Sequence, residues 1–254
     1  MTQFSNKVVI VTGASAGIGK ATALTFAKQG AKIALADINE SSLHGVADEI
    51  KELGGEALVV VTDVADEIAC QKMVADTVNQ FGRLDVIFNN AGISGERALV
   101  ADTTAEQWQK VISINLNGVF FCTKAAIPAM QNSGGGVIIN TASVDGLIGM
   151  ASLSHYTASK HAVMGLTKVT ALEYADQNIR CLAVAPGYIA TAMTEEGFSD
   201  EEKQGLRSMV PMKRPAAPQE IANFVVWAAS DQASYISGSS HVIDGALLAG
   251  ISGK

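Results

Sequence analysis

The fold is decided by one stretch near the N-terminus, Val8-Val9-Ile10-Val11-Thr12-Gly13-Ala14-Ser15-Ala16-Gly17-Ile18-Gly19. Its first four residues are an unbroken apolar run, which is typical of a parallel strand buried on both faces. The glycines let the backbone turn sharply and approach a pyrophosphate, which then lies at the N-terminus of the helix predicted over residues 20–29. The spacing is Gly-x-x-x-Gly-x-Gly rather than the commoner Gly-x-Gly-x-x-Gly. Because a strand precedes it and a helix follows it, the turn indicates a dinucleotide site.

The same alternation of strand and helix continues along the chain. Further apolar runs predict strands at residues 32–36, 57–61, 84–88, 137–141, 179–185 and 241–243, and helical patterns lie between them, including a long one over 104–130. This alternation predicts an α/β fold, a single Rossmann-like, doubly wound parallel sheet of seven strands with helices on both faces. We expect one catalytic domain over residues 1–254. The pattern weakens at 192–215, which is predicted to be a substrate lid or simply a solvated loop with a short helix.

Composition narrows the class of protein. The chain has 254 residues, 48% of them hydrophobic and 17% charged, which excludes a disordered chain. The net charge of −7, without a basic block, argues against a nucleic-acid partner. Cys70, Cys122 and Cys181 are far apart in sequence and predict buried thiols in a reducing compartment, with no metal site. No leader or membrane-spanning run is recognised, so we expect a cytoplasmic protein without a membrane partner.

Polar side chains follow the early strands. Asp37 stands about 20 residues beyond the glycines, where an acidic residue binds the adenosine ribose hydroxyls. Its carboxylate would repel a 2′-phosphate, and no Arg or Lys occupies position 16 or positions 38–39, so the sequence favours NAD over NADP. A strand-end cap is the alternative for Asp37. Asp63 either faces the adenine or is a polar loop residue. Residues 89–92, Asn-Asn-Ala-Gly, either tie a loop to a neighbouring strand or form a turn.

A second group of residues carries acid–base chemistry. Tyr156 and Lys160 are four residues apart in a helical run, so they share one helix face. A free tyrosine titrates at about 10, and a nearby cation would lower that pKa enough for proton exchange with an alcohol or carbonyl oxygen. Ser143 follows the fifth strand, and ligands lie beyond the carboxyl ends of parallel strands, so Ser143 and Tyr156 can converge. Pro186-Gly187 follow the sixth strand at the same edge, where the nicotinamide would lie. A surface Tyr beside a surface Lys is the alternative.

Asn115 lies within the apolar part of the long helix predicted at 104–130. A buried Asn inside a helix is costly unless its side chain is hydrogen-bonded. Asn115 is therefore either a link in a water or proton chain or a satisfied core residue.

Taken in order, these motifs resemble the short-chain dehydrogenase/reductase family, and the resemblance covers essentially the whole chain. The matching pieces are Thr12-Gly13-x-x-x-Gly17-Ile18-Gly19, Asp63-Val64, Asn89-Asn90-Ala91-Gly92, Asn115, Ser143, Tyr156-x-x-x-Lys160 and Pro186-Gly187 with Thr191. One small departure is Ala246 after Asp244-Gly245, where many members have a second glycine.

The resemblance implies a catalytic tetrad. Tyr156 would be the general acid/base and Ser143 would hydrogen-bond the substrate oxygen. Lys160 would lower the tyrosine pKa and bind the nicotinamide ribose, and Asn115 would hold a water that relays protons. The family also implies a homotetramer, with the helices around Asn115 and Tyr156 packed between subunits. Cofactor contacts are expected from Gly13, Ser15, Gly17, Ile18, Gly19, Asp37, Asp63, Val64, Asn90, Ala91, Gly92, Tyr156, Lys160, Pro186, Gly187, Ile189 and Thr191.

The substrate class follows from the same resemblance. Residues 140–143, 146–149 and 172–175 look like those of catabolic alcohol dehydrogenases of this family, including cyclohexanol-type enzymes. We therefore expect an oxidoreductase that transfers a hydride between NAD(H) and a secondary alcohol or ketone. Alternatives are a 3-oxoacyl-acyl carrier protein reductase, which usually takes NADP, and a hydroxysteroid dehydrogenase with a methionine-lined pocket. A nucleotide-sensing binding module is the non-enzymatic alternative, and the intact Ser143, Tyr156 and Lys160 argue against it.

Overall fold

The computed structural model of the chain describes residues 3–195 and 199–250, so residues 196–198 of the predicted lid lie outside the described residues. One parallel sheet of seven strands forms the centre of the molecule. Its strands are β1 Val8–Thr12, β2 Lys32–Asp37, β3 Ala57–Val61, β4 Val86–Asn89, β5 Gly136–Thr141, β6 Ile179–Pro186 and β7 Ser240–Ile243. The strand order β3-β2-β1-β4-β5-β6-β7 confirms the doubly wound sheet. The order reverses between β1 and β4, where Val9 pairs with Ile33 on one side and Val86 on the other. A crevice for ligands is expected at this reversal.

Helices cover both faces of the sheet. They are α1 Gly17–Lys28, α2 Glu40–Glu52, α3 Glu67–Phe81, α4 Ala105–Ile112, α5 Gly118–Asn132, α6 Ser154–Tyr174, α7 Ala192–Glu195, α8 Asp200–Met209 and α9 Pro218–Ala229. Alternate side chains of β1 point to opposite faces, as the period of a strand requires. Val9 and Val11 join the core under α1, α2 and α9, whereas Ile10 joins the core under α3 and α5.

The long helix predicted at 104–130 is the main local difference from the sequence expectation. The chain is α-helical before and after a π-helical turn at Ser113–Asn117, which separates α4 from α5. The strand predicted from residue 84 also begins later, at Val86. Asp85 precedes it, and its carboxylate accepts hydrogen bonds from the Val8 backbone N–H and from Lys7 and Arg83. The other predicted strands agree with the structure to within one residue at each end.

The stretch Ala105–Asn132 has the length and apolar composition of a membrane span, and 44% of its most apolar window is buried inside the molecule. Length and composition alone are weak evidence for a span, because core helices pass the same test. Its α5 segment packs against α3 in the core, where Cys70 Sγ and Cys122 Sγ lie 3.5 Å apart. All three cysteines are buried, as the sequence predicts, and each is a free thiol.

Candidate active site

A cavity of about 370 Å³ opens at the carboxyl edge of the sheet, above the β1–β4 reversal. The glycine-rich turn forms one wall. Gly13 and Gly17 have φ angles of +66° and +52°, which favour glycine. A Cβ on Gly19 would lie 2.0 Å from the Gly13 carbonyl oxygen, so only a glycine lets α1 start this close to the turn. Sixteen of the seventeen predicted cofactor residues line the cavity, and Gly19, which packs beneath the turn instead, is the exception.

Asp37 stands at the end of β2 and borders this cavity. Its Oδ2 accepts a hydrogen bond from Ser15 Oγ at 2.7 Å and from Ser15 N at 3.3 Å. Its Oδ1 accepts from the Asn39 backbone N–H at 3.0 Å. The carboxylate is therefore fixed against the glycine-rich turn, with its charge at the cavity wall.

The loop after β4 is tied to both neighbouring strands by amide side chains. Asn90 Nδ2 donates to the Thr12 carbonyl oxygen at 3.1 Å, and Asn89 Nδ2 donates to Asn140 Oδ1 at 2.9 Å. Of the two interpretations of residues 89–92, the structure therefore supports the strand-tying one. Asp63 accepts from Ala65 N at 2.9 Å, which is the bond of a polar loop residue, and it also lines the cavity.

Ser143, Tyr156 and Lys160 meet at one end of the cavity. The Ser143 hydroxyl lies close enough to the Tyr156 phenol to lower its pKa, against the effect of burial. Lys160 is 3% exposed, and its Nζ lies 5.5 Å from the centre of the Tyr156 ring. The same Nζ donates to the Thr141 carbonyl oxygen at 2.7 Å. A surface pair is therefore excluded, since the lysine is enclosed beside the tyrosine.

Asn115 lies in the π-helical turn and is fully buried. Its Oδ1 accepts from Ile93 N at 2.9 Å, and its Nδ2 donates to Ile93 O at 2.8 Å. π-turns inside α-helices occur frequently at functional sites. A Cβ built on Gly92 would lie 3.2 Å from Asn115 Oδ1 and 3.8 Å from Lys160 Nζ, so the two side chains converge there. Asn115 is a satisfied buried residue, and its proton-relay role stays a prediction.

These features fit a dinucleotide. The glycine turn gives close backbone approach at a helix N-terminus, and Asp37 supplies a carboxylate at one end of the cavity. Lys160 and Tyr156 line the same cavity, as do Pro186 and Gly187 after β6. The glycine-rich turn and Asp37 suit the pyrophosphate and the adenosine ribose, whereas Lys160, Tyr156, Pro186 and Gly187 suit the nicotinamide half.

Comparisons with known proteins agree with this site. A family model described as Enoyl-(Acyl carrier protein) reductase matches residues 13–247. The cyclohexanol dehydrogenase of Acinetobacter sp. (strain SE19) is 45% identical over 244 residues, which are 96% of each chain. The chain is a short-chain dehydrogenase/reductase.

Further relatives of this short-chain dehydrogenase/reductase span nearly its whole length. A 3-oxoacyl-[acyl-carrier-protein] reductase of Thermotoga maritima is 39% identical over 246 residues, covering 97% of this chain and 99% of the relative. The crystal structure of levodione reductase superposes with a TM-score of 0.94 at 38% identity, covering 98% of this chain and 100% of that chain.

The electrostatics of this short-chain dehydrogenase/reductase site differ from the sequence expectation. Burial raises the pKa of Tyr156 to about 12, although the hydrogen bond with Ser143 opposes the rise and the Asp145 charge adds to it. Burial lowers the pKa of Lys160 to about 8, against the charge of Asp145. The tyrosine pKa is therefore higher than that of a free tyrosine, because burial removes water from around the phenol. The lowering of that pKa by Lys160 stays a prediction.

Three further residues contribute hydrogen bonds near the site, although none of them is among the predicted catalytic or cofactor-binding residues. Thr141 contributes through its backbone carbonyl, which accepts from Lys160. The Asp145 backbone N–H donates to Ser143 Oγ at 3.1 Å, and burial raises the pKa of its carboxyl, which the charge of Lys160 opposes. Thr12 Oγ1 accepts from the N–H groups of residues 90 and 91. Thr12 begins the glycine-rich motif, whereas Thr141 and Asp145 were marked only by their positions at or after the end of β5.

Proposed function

We propose that this protein is an NAD-dependent oxidoreductase that interconverts a secondary alcohol and the corresponding ketone. The convergence of Ser143, Tyr156 and Lys160 in the cavity that the glycine-rich turn also lines carries the proposal. The cyclohexanol dehydrogenase and levodione reductase relatives support the substrate class.

The residues have separate tasks in this reaction. When bound, NAD supplies the hydride acceptor or donor. In ketone reduction, Tyr156 donates its phenolic proton to the carbonyl oxygen, and its pKa of about 12 keeps that proton in place at neutral pH. Ser143 donates a hydrogen bond to the same oxygen as negative charge develops there. In alcohol oxidation, Tyr156 accepts the hydroxyl proton as a phenolate, which the charge of Lys160 stabilises.

We assign NAD rather than NADP on the charge at the adenosine end of the cavity. Asp37 places a carboxylate at the cavity wall, beside the exposed Ile38, and position 16 is an alanine. A 2′-phosphate there would meet a like charge and no guanidinium or ammonium partner among these residues.

A 3-oxoacyl-acyl carrier protein reductase is the second candidate, because the Thermotoga maritima relative covers almost the whole chain. That activity needs a thioester ketone as substrate. Reduction of an acetoacetyl thioester faster than of any simple cyclic or aliphatic ketone, with NADPH preferred, would favour it over our proposal.

We also propose a cytoplasmic homotetramer. Exposed apolar side chains lie on two separate faces. One face, on α5 and α6, carries Phe120, Val169 and Leu172. The other, on α9 and the edge strand β7, carries Trp227 and Val242. Two apolar faces suit a tetramer with two kinds of contact. Light scattering on the purified protein should give a mass near four times the 26.4 kDa of one chain. A monomeric mass would contradict the assembly.

The decisive experiment for the reaction is Tyr156→Phe. The variant should lose about 100- to 10,000-fold in kcat/KM for secondary alcohols, the contribution of a positioned acid–base group. Its NADH affinity, measured by fluorescence, should stay within twofold of the wild-type value. Tyr174→Phe, the same change near the far end of α6, is the matched control and should leave turnover unchanged. Equal turnover by Tyr156→Phe and the wild type would refute the proposed mechanism.

A further inference from the structure

We propose that His155 is a positioning residue for this reaction. In this proposal its two ring nitrogens join the segment 93–98, called here the wall loop, to the first turn of the catalytic helix α6. The inference rests on the proposed function, because the wall loop forms part of the cavity in which the alcohol or ketone would lie. Ile93 of this loop lines that cavity.

Both ring nitrogens of His155 have a partner. The side chain is 1% exposed. Its Nδ1 accepts a hydrogen bond from the Tyr156 backbone N–H at 2.8 Å, and its Nε2 lies 3.1 Å from the Glu96 carbonyl oxygen. A nitrogen that accepts carries no proton, so Nδ1 is bare and Nε2 carries the hydrogen that it donates to Glu96. The neutral ring therefore links Tyr156 directly to the wall loop.

The bond to Tyr156 has a structural reason. The first four N–H groups of a helix have no partner within the helix. Tyr156 is the third residue of α6, which begins at Ser154, so its N–H is one of these groups. His155 satisfies that group from the adjacent position and thereby holds the turn that carries the catalytic phenol.

The wall loop is packed onto the ring. Gly95 has a φ angle of +76°, and a Cβ there would lie 2.6 Å from both Cε1 of His155 and Cγ2 of Val111. The loop backbone thus lies as close to the imidazole as a glycine allows. A side chain at position 95 would push the loop off the ring, because the neighbours are buried.

Other contacts hold the two ends of the wall loop. Asn115 binds both backbone groups of Ile93 at one end. Ala98 N donates to the Ser152 carbonyl oxygen at 3.0 Å at the other end. Between these ends, His155 Nε2 donates a hydrogen bond to the Glu96 carbonyl oxygen, and Gln107 Nε2 donates one to the Glu96 carboxylate at 2.9 Å. Loss of the His155 bond removes the buried contact of Glu96 in the middle of the loop, which is then held at its two ends by Asn115 and Ser152 and in between by the exposed Gln107 bond.

Two substitutions test the two hydrogen bonds of the His155 ring one at a time. His155→Gln keeps a donor near the place of Nε2, and His155→Asn keeps an acceptor near the place of Nδ1. Hydrogen–deuterium exchange of the backbone amides of residues 93–98, measured without substrate, reports the loop. KM and kcat for a secondary alcohol and the Kd of NADH report the site.

We expect His155→Asn to speed exchange of the wall-loop amides and to raise KM for the alcohol by about fivefold, the factor that one hydrogen bond contributes. Its kcat and NADH Kd should stay within about twofold of wild type, because the Tyr156 N–H keeps its partner. In His155→Gln, the exchange rates of the wall-loop amides and the KM for the alcohol should stay close to the wild-type values. A merely space-filling ring would instead give the same losses in both variants.

Two results would overturn the inference. One is wild-type exchange and KM in His155→Asn, and the other is equal loss in both variants. If neither variant folds, the ¹⁵N spectrum of histidine-labelled wild type decides, since a proton on Nδ1 of His155 would refute the assigned bonds. If the wild type turns over no secondary alcohol, the proposed function fails, while the exchange data still test the role of His155.

Discussion

Removal of the Asp37 carboxylate should change the choice of cofactor. Asp37 receives three hydrogen bonds, two from Ser15 and one from Asn39, and its charge lies at the wall of the cavity. In Asp37→Ala, NADH loses the charge-assisted hydrogen bonds expected at its ribose hydroxyls, about 1.5–3 kcal/mol. NADPH is relieved of a repulsion at the same position. A carboxylate about 4 Å from a phosphate of charge about −2 costs roughly 2 kcal/mol in water.

Both effects narrow the preference for NADH. Their sum of about 3.5–5 kcal/mol corresponds to a fall of roughly 300- to 4,000-fold in the ratio of the NADPH and NADH dissociation constants. Fluorescence titration of both cofactors against wild type and Asp37→Ala measures that ratio directly. Asp48→Ala, which removes an exposed carboxylate from α2 away from the cavity, is the charge-matched control and should leave the ratio unchanged.

The wild-type titration tests the reasoning as well. NADH should bind at least tenfold more tightly than NADPH. Equal or tighter binding of NADPH by the wild type would refute the role of Asp37 and raise the carrier-protein reductase to the first candidate. An unchanged ratio in Asp37→Ala would show that contacts elsewhere in the cavity select the cofactor.

Three further outcomes are expected. Alcohol oxidation needs Tyr156 without its proton. Because the phenol pKa is about 12, kcat/KM for alcohol oxidation should rise from pH 7 to pH 9, whereas kcat/KM for ketone reduction should not rise. A fall in kcat/KM for oxidation over that range would contradict the assignment. Asp85→Ala should lower the free energy of unfolding at pH 7 by about 2–4 kcal/mol in urea titrations, against less than about 0.5 for the exposed Asp48→Ala. Burial raises the pKa of Asp85, but its hydrogen bonds lower that pKa by a larger amount. The stabilisation by the Asp85 carboxylate is therefore present above the unfolded-state pKa of about 3.9 and is lost as pH falls through the folded-state pKa. A stability difference between Asp85→Ala and wild type that persists at pH 2 would be inconsistent with this account. Gly19→Ala should abolish NADH binding, because the new Cβ would lie 2.0 Å from a backbone oxygen. Gly45→Ala is the control: its Cβ would have no atom within 4 Å, and the substitution should raise the thermal midpoint of unfolding slightly. NADH binding by Gly19→Ala at wild-type affinity would refute the packing argument.

The amino-acid sequence by itself determined the elements and the main groups of the site. Apolar runs, glycines and helical spacing are local features, so they predicted the seven-stranded sheet and the turn at Gly13. The four-residue spacing likewise placed Tyr156 and Lys160 on one helix face. The element boundaries agree within a few residues, and the exception is the helix around Asn115, where the structure has a π-helical turn.

Only the tertiary structure decided how these groups are held and charged. The bonds of Asn115 to Ile93, of Lys160 to the Thr141 carbonyl and of His155 to the Glu96 carbonyl join positions 19 to 59 residues apart. Each uses a backbone group, which every residue possesses and no sequence pattern marks. The pKa of Tyr156 depends on how much water the fold removes from around the phenol. Spacing along the helix places a cation beside that phenol, but burial, which only the packed molecule defines, decides the direction of the shift.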